Sequence, residues 1–143
     1  MINFVLALAT AISAPPSAAS PLTPDHLRDI GCVAVMAIIA DAQNSGVVGA
    51  DTLPRTAAAG RSWAGIVGAR VADQSGQPVE LSAFAMREAA ANEQAAMNIG
   101  ANRAAALSLR YAACAPLMRA DLEADLASKP LPPPTQKAAE KSQ

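Results

Sequence analysis

Two cysteines and one histidine are the most chemically restrictive residues of this 143-residue chain. Their small number excludes a zinc module built on four cysteines and a histidine-rich metal site. His26 follows Pro24 and Asp25 in the first turn of a predicted helix, where we expect it to face water rather than to act as a catalytic base. The glycines form no phosphate-binding loop, because no P-loop lysine accompanies them.

The acidic and thioether side chains give no catalytic or metal-binding pattern either. Asp121, Glu123 and Asp125 are close in sequence, but their spacing distributes them around a helix, which predicts a solvated acidic face rather than an acid/base pair. Four methionines after the N-terminal segment are predicted to fill the core rather than to bind copper: Met36, Met86, Met97 and Met118. We therefore predict a non-enzymatic protein with no catalytic residue, metal or cofactor.

An apolar run from Ile2 to Ala14 predicts a signal peptide over residues 1–19. As a helix this run would be about 20 Å long, short of the roughly 30 Å hydrocarbon core, so we expect no stable membrane span in the mature form. Ser17 and Ala19 supply the small −3 and −1 side chains for a cut after Ala19. No Lys or Arg precedes the run, which leaves two alternatives open: a disordered apolar arm and a wrongly assigned start codon.

A disulfide between Cys32 and Cys114 is the simplest use of two cysteines in an exported chain. Closing the loop between residues 32 and 114 would stabilise the fold by about 4 kcal/mol on the chain-entropy model. A redox thiol pair and a pair of metal ligands are the alternatives. Against both, the chain has no CxxC sequence, and no histidine or acid stands at ligand spacing beside either cysteine.

Hydrophobic periodicity predicts an all-α fold, a small bundle of four main helices with a disordered C-terminal tail. The first helix is central, because every residue over 32–40 is apolar. The predicted helices cover 24–44, 51 or 52 to 74, 78 or 79 to 98, and 102 onward, with Pro116 kinking or ending the fourth and a short fifth over 117–127. The bundle domain is thus 20–128, and 129–143 is a Pro-rich tail.

Small residues recur every four positions in the second predicted helix: Gly60, Ala64, Gly68 and Ala72. Glycine in a helix costs about 1 kcal/mol relative to alanine, so this stripe predicts a close contact between two helices. Larger side chains are predicted to line an apolar pocket between helices. The candidates are Trp63, Phe84, Met86 and Tyr111.

The residues that begin the first helix, Leu22-Thr23-Pro24-Asp25-His26, are similar to the LTxxQ helix start of extracytoplasmic stress chaperones and heavy-metal-resistance proteins. Leu22 and Thr23 match that motif, whereas His26 stands in place of its glutamine and no second copy is present. The resemblance implies a small periplasmic α-helical protein that binds unfolded clients or metal. Thr23 is also a suitable helix cap, which explains the same residues without the family.

The charge of the chain excludes one class of partner. A formal net charge of −1 and a pI of about 5.7, with the arginines dispersed, argue against nucleic acid and anionic membranes. We predict a periplasmic or secreted protein that binds another protein of the cell envelope. The alternative is a periplasmic carrier of a small apolar ligand held between helices. A carrier needs an enclosed apolar cavity of about 300 Å³ or more, whereas a partner-binding protein needs a filled core and an exposed apolar surface.

Overall fold

A computed structural model describes residues 20–98 and 102–130, and it confirms the all-α prediction. The four helices are α1 (Pro24–Asn44), α2 (Ala57–Ser75), α3 (Val79–Asn98) and α4 (Arg103–Ser128), with a 3-10 turn at Ala50–Thr52. This part of the chain contains no strand. The predicted signal peptide and residues 131–143 of the predicted tail lie outside the described residues.

Helix α1 is the centre of the bundle, as its uninterrupted apolar segment predicts. It contacts each of the other three helices. Its side chains Met36 and Ile39 are completely buried, and Trp63 of α2 and Leu107 of α4 are equally inaccessible. A helix that is apolar around most of its circumference can bury that surface only when neighbours surround it, so α1 determines the arrangement of the other helices.

The connection from α1 to α2 differs from the prediction, because α2 begins at Ala57 rather than after Asp51 or Thr52. Leu53 has extended backbone angles (φ −87°, ψ 150°), the conformation favoured by a residue that precedes proline. Pro54 therefore lies before the helix instead of in its first turn. The buried Gln43 side chain holds this connection: its Nε2 lies 2.9–3.1 Å from the carbonyl oxygens of residues 50, 53 and 54, and its Oε1 accepts from Thr56 N–H.

Helix α4 runs unbroken through Pro116, so the predicted end at this residue and the separate fifth helix are wrong, whereas the alternative of a kink stays a prediction. Proline cannot donate to the carbonyl of residue 112. Pro116 lies on the exposed side of α4, where water can satisfy that carbonyl, while Ala115 and Met118 on the inner side are buried. Packing of the buried inner face therefore stabilises α4 as a continuous helix through Pro116.

The predicted disulfide joins Cys32 of α1 to Cys114 of α4, with a Cα–Cα distance of 5.3 Å. Both cysteines are buried. A second contact fixes the beginning of α4: a Cβ added to Gly49 would lie only 2.6 Å from the Cβ of Ala104. Gly49 also has φ +85°, a left-handed conformation that glycine adopts at little cost. The α1–α2 connection and the start of α4 are therefore in close contact.

Candidate functional site

His26 is buried and closes the N-terminus of α1, contrary to the expectation that it faces water. The Thr23 hydroxyl accepts from His26 N–H, and His26 Nδ1 accepts from Thr23 N–H, so the two residues form a capping box with histidine in the usual place of Glu or Gln. Nε2 lies 2.8 Å from the Gln74 side-chain oxygen of α2. Both ring nitrogens are thus engaged in structural contacts. The Leu22–His26 sequence is accounted for as a helix start.

An ion-pair network joins three helices beside the disulfide. Arg70 of α2 donates to Asp29 of α1 at 2.8 Å and, through both terminal nitrogens, to Asp121 of α4 at 2.8 Å. The buried indole of Trp63 donates to the same Asp121 carboxylate at 2.7 Å. Asp29 also receives Arg28 at 2.9 Å. The network therefore satisfies the indole N–H of the most deeply buried aromatic residue.

These hydrogen bonds set the protonation state of the network. The Arg70 guanidinium, helped by the Trp63 N–H, lowers the pKa of Asp121 below its ordinary value. The hydrogen bonds that Arg70 donates to Asp121 in turn raise the pKa of Arg70. A carboxylate held ionised by two donors is a poor general base, so the lowered pKa disfavours Asp121 as the base of a proton transfer.

The other two acids of the predicted acidic face are not part of this network. Glu123 is exposed, and Asp125 pairs with Lys129 at 2.5 Å one turn further along. The expectation of a solvated face is therefore wrong for Asp121, which faces α2. Its spacing from Glu123 and Asp125 gave no sign of this, because the partner Arg70 is remote in sequence.

The four residues proposed to line an apolar pocket lie in different environments. Trp63 is fully buried, Met86 and Tyr111 are half-buried, and Phe84 is 55% exposed. The concavities described below include none of the four. Trp63 belongs to the core and the ion-pair network, whereas Phe84 is directed toward solvent.

The small-residue stripe faces two helices in turn. A Cβ added to Gly60 would lie 3.4 Å from the Cβ of Met36 in α1. At Gly68 the nearest atoms belong to α3, with Met86 Cε at 3.8 Å. Ala64 lies between the two glycines and Ala72 one turn beyond, both half-buried. The stripe thus places α2 close to α1 at one end and next to α3 at the other.

A half-open groove of about 320 Å³ lies between the second half of α1 and the first half of α2, and we call it the α1–α2 groove. Small side chains leave it unfilled where the two helices approach each other. Its lining is apolar except for the rim and for Thr56, whose hydroxyl donates to the Met36 carbonyl. The apolar lining consists of Val33, Met36, Ala37, Ala40, Ala57, Gly60 and Ala64.

The two rims of the α1–α2 groove carry opposite charges. Asp41 and Asn44 stand on the α1 side, and Arg61 stands on the α2 side. All three side chains are exposed, and none takes part in an ion pair or a side-chain hydrogen bond with another described residue.

A second concavity of about 270 Å³ lies at the α1–α2 connection, beside Gln43, whose amide is already engaged.

A pair of large apolar side chains projects from the beginning of α3. Leu81 is 50% exposed and Phe84 is 55% exposed. They are three residues apart in a helix, which places them on one side, one turn from each other. We call this pair the α3 knob. Sequence periodicity alone did not identify it, because a phenylalanine in an alanine-rich helix is expected to point inward.

Neither a metal-binding cluster nor a membrane-spanning helix occurs in the part of the chain that the structure describes. Within 20–98 and 102–130, no three His, Cys, Asp or Glu side chains are grouped in a way that would hold a metal ion. None of the described helices combines the length and the hydropathy needed to cross a bilayer. Comparison with known proteins gave no match to a protein-family model, a curated protein or a solved structure.

Proposed function

We propose that the chain is a non-enzymatic binding protein of the cell envelope that takes an apolar side chain of another protein into the α1–α2 groove. The observation that supports this most is the form of the groove. Its apolar lining is open to solvent along one side, and its rims carry charges of opposite sign that pair with no other described residue. Such a shape suits a protruding side chain with polar neighbours better than an enclosed small molecule.

The rest of the described fold supports a binding role. Trp63, Met36 and Ile39 are fully buried in the core, and two polar side chains that could otherwise take part in proton transfer are already hydrogen-bonded. His26 caps α1, and Asp121 is bound by Arg70 and Trp63. The groove is by contrast an apolar surface that no described residue fills.

Site-specific photo-crosslinking in intact cells tests this proposal. A photoreactive residue replaces Asn44 on the rim, and the matched control carries it at Ala69, which is exposed on α2 outside the groove. We expect a discrete adduct with another protein from position 44 and none from position 69. Ala40→Leu, which fills the groove, should abolish the adduct, whereas Ala58→Leu on the exposed side of α2 should leave it unchanged. An adduct that survives Ala40→Leu would exclude the groove as the binding site.

Carriage of a small apolar ligand is the second candidate, and the volume of the groove favours it. About 320 Å³ lies at the lower end of the range for small-molecule pockets. Native mass spectrometry of protein purified from the envelope distinguishes the two functions. A carrier would show an added small-molecule mass that Ala40→Leu removes. A protein-binding groove would show the mass of the chain alone.

Export is the part of the proposal that concerns location. The oxidised Cys32–Cys114 pair is typical of proteins outside the reducing cytosol, and the apolar segment Ile2–Ala14 is typical of a signal peptide. Mass spectrometry of the protein from the cell envelope should therefore find a new N-terminus at Ser20. An intact Met1 in a cytoplasmic fraction would contradict export.

A further inference from the structure

We propose that the α3 knob of a second copy of this chain occupies the α1–α2 groove, so that the protein forms a dimer. This inference rests on the proposed function, because it identifies a partner for the same groove. Within residues 20–98 and 102–130, no side chain fills the apolar α1–α2 groove and none covers the α3 knob. A second copy supplies each of these features to the other.

The size of the knob matches the groove. Leu81 and Phe84 lie one turn apart on the exposed side of α3, and about half of each side chain is accessible. Two such side chains can enter one hollow together, as knobs from one helix enter holes of another. The groove of about 320 Å³ is bounded by Ala37, Ala40 and Gly60, which are too small to fill it themselves.

Charge complementarity favours a second copy over an unrelated apolar partner. The groove presents Asp41 on one rim and Arg61 on the other. The knob is flanked by Arg87, three residues after Phe84, and by Glu88, four residues after it. Both flanking side chains are exposed and form no ion pair with a described residue. Arg87 is therefore available for Asp41, and Glu88 for Arg61.

The two features lie toward opposite ends of the bundle. The groove lies between the C-terminal half of α1 and the N-terminal half of α2. The knob begins α3, which follows the C-terminus of α2 after Gly76. A two-fold axis between two copies places the knob end of each beside the groove end of the other. The same patches then meet twice, as in an isologous dimer.

Sedimentation equilibrium of the purified protein tests the dimer. We expect a concentration-dependent dimer whose dissociation constant rises on the order of 1,000-fold in Phe84→Ser, because the variant removes a central aromatic anchor from both contacts of the dimer and each loss costs about 2 kcal/mol or more. Ala40→Leu and the exposed rim variant Arg61→Glu should weaken the dimer from the groove side. Leu109→Ser is the matched control, since Leu109 is 72% exposed on α4 and should leave association unchanged.

Mixing the knob variant with the groove variant gives the most specific result. Phe84→Ser retains an intact groove, and Ala40→Leu retains an intact knob, so the mixture can form one of the two contacts that neither variant forms alone. We expect the mixture to associate more tightly than either variant. A wild-type protein that is monomeric at every concentration, or a mixture that gains nothing, would overturn the dimer.

These outcomes are separable from those of the proposed function. Phe84→Ser removes the knob but leaves the groove open, so the Asn44 adduct with another protein should persist in that variant. A monomeric wild type together with a persistent adduct overturns the dimer alone. Dimerisation that depends on the groove, without any adduct to another protein, supports the dimer and overturns only the part of the proposed function that names a different protein as the partner.

Discussion

Removal of the Cys32–Cys114 disulfide should lower the free energy of unfolding by about 4–5 kcal/mol. The two cysteines are separated by 82 positions, and the chain-entropy relation gives about 4.5 kcal/mol for a loop of that length at 25 °C. Small domains have a total stability of about 5–15 kcal/mol. The loss would therefore be a large fraction of the whole, yet the reduced protein should still fold.

The ion-pair network explains why the reduced chain should keep its fold. Asp29 lies one turn from Cys32 on α1, and Asp121 lies two turns from Cys114 on α4. Arg70 binds both carboxylates at 2.8 Å. The contact between α1 and α4 thus has a second, noncovalent support in the same region.

Urea denaturation of the oxidised protein and of the alanine variants provides the measurement. Cys32→Ala, Cys114→Ala and the double variant should lose the same stability within about 0.5 kcal/mol, because each removes the same bond. The serine variants should lose somewhat more, since a buried hydroxyl without a partner is unfavourable. A loss below about 1 kcal/mol, or two reactive thiols per chain in unfolded, unreduced protein, would refute the reasoning.

Three further substitutions, together with a control at Gly46, are expected to lower the free energy of unfolding measured by urea denaturation. Asp121→Asn should cost about 1–2 kcal/mol at neutral pH. The pKa of Asp121 is lowered in the folded protein, so the stability that it contributes is present above the unfolded-state pKa of about 3.9. That stability is lost as the pH falls below this value. The difference in stability between wild type and variant should therefore shrink at low pH. A difference that does not shrink as the pH falls below about 3.9 would refute this. Gln43→Met should lower the free energy of unfolding by about 2–4 kcal/mol, because it leaves several polar groups of the α1–α2 connection unpaired. A loss below about 1 kcal/mol would show that the connection does not depend on the Gln43 side chain. Gly49→Ala should cost about 2–4 kcal/mol through its left-handed backbone and its contact with α4, whereas Gly46→Ala, with φ +67° and open space around it, should cost about 1 kcal/mol. Equal losses would exclude the α4 contact as a cause.

The fold was predictable from local patterns wherever a helix has unambiguous ends and an apolar face. Thr23 and Pro24 predicted the start of α1, Gly76 follows the end of α2 with φ +67°, and Asn102 caps α4 with its side chain. The errors arose where a remote contact decides the local structure. Pro116 predicts a break by its own chemistry, but the buried inner face of α4 keeps the helix intact around it.

The candidate site was far less predictable, because it depends on pairs of residues that are distant in sequence. Trp63 was predicted to line a pocket, yet its N–H binds Asp121, 58 positions away. The α1–α2 groove exists because small residues of two helices face each other, and sequence periodicity shows the small residues of one helix but not what lies opposite. The exposure of Phe84 likewise depends on how α3 packs against α1 and α2.

The disulfide has a consequence for how the molecule would respond to a mechanical load. Cys32 and Cys114 enclose the whole of α2 and α3 in one covalent loop, while the first turns of α1 and the last turns of α4 lie outside it. Force applied at the two ends of the chain would pass directly from α1 to α4 through the sulfur bond. Only the outer turns would then extend, and the loop that contains α2 and α3 would carry no tension. If one end of the chain were tethered in the envelope, the α1–α2 groove, whose lining lies within this loop, would keep its shape while the outer turns unravelled.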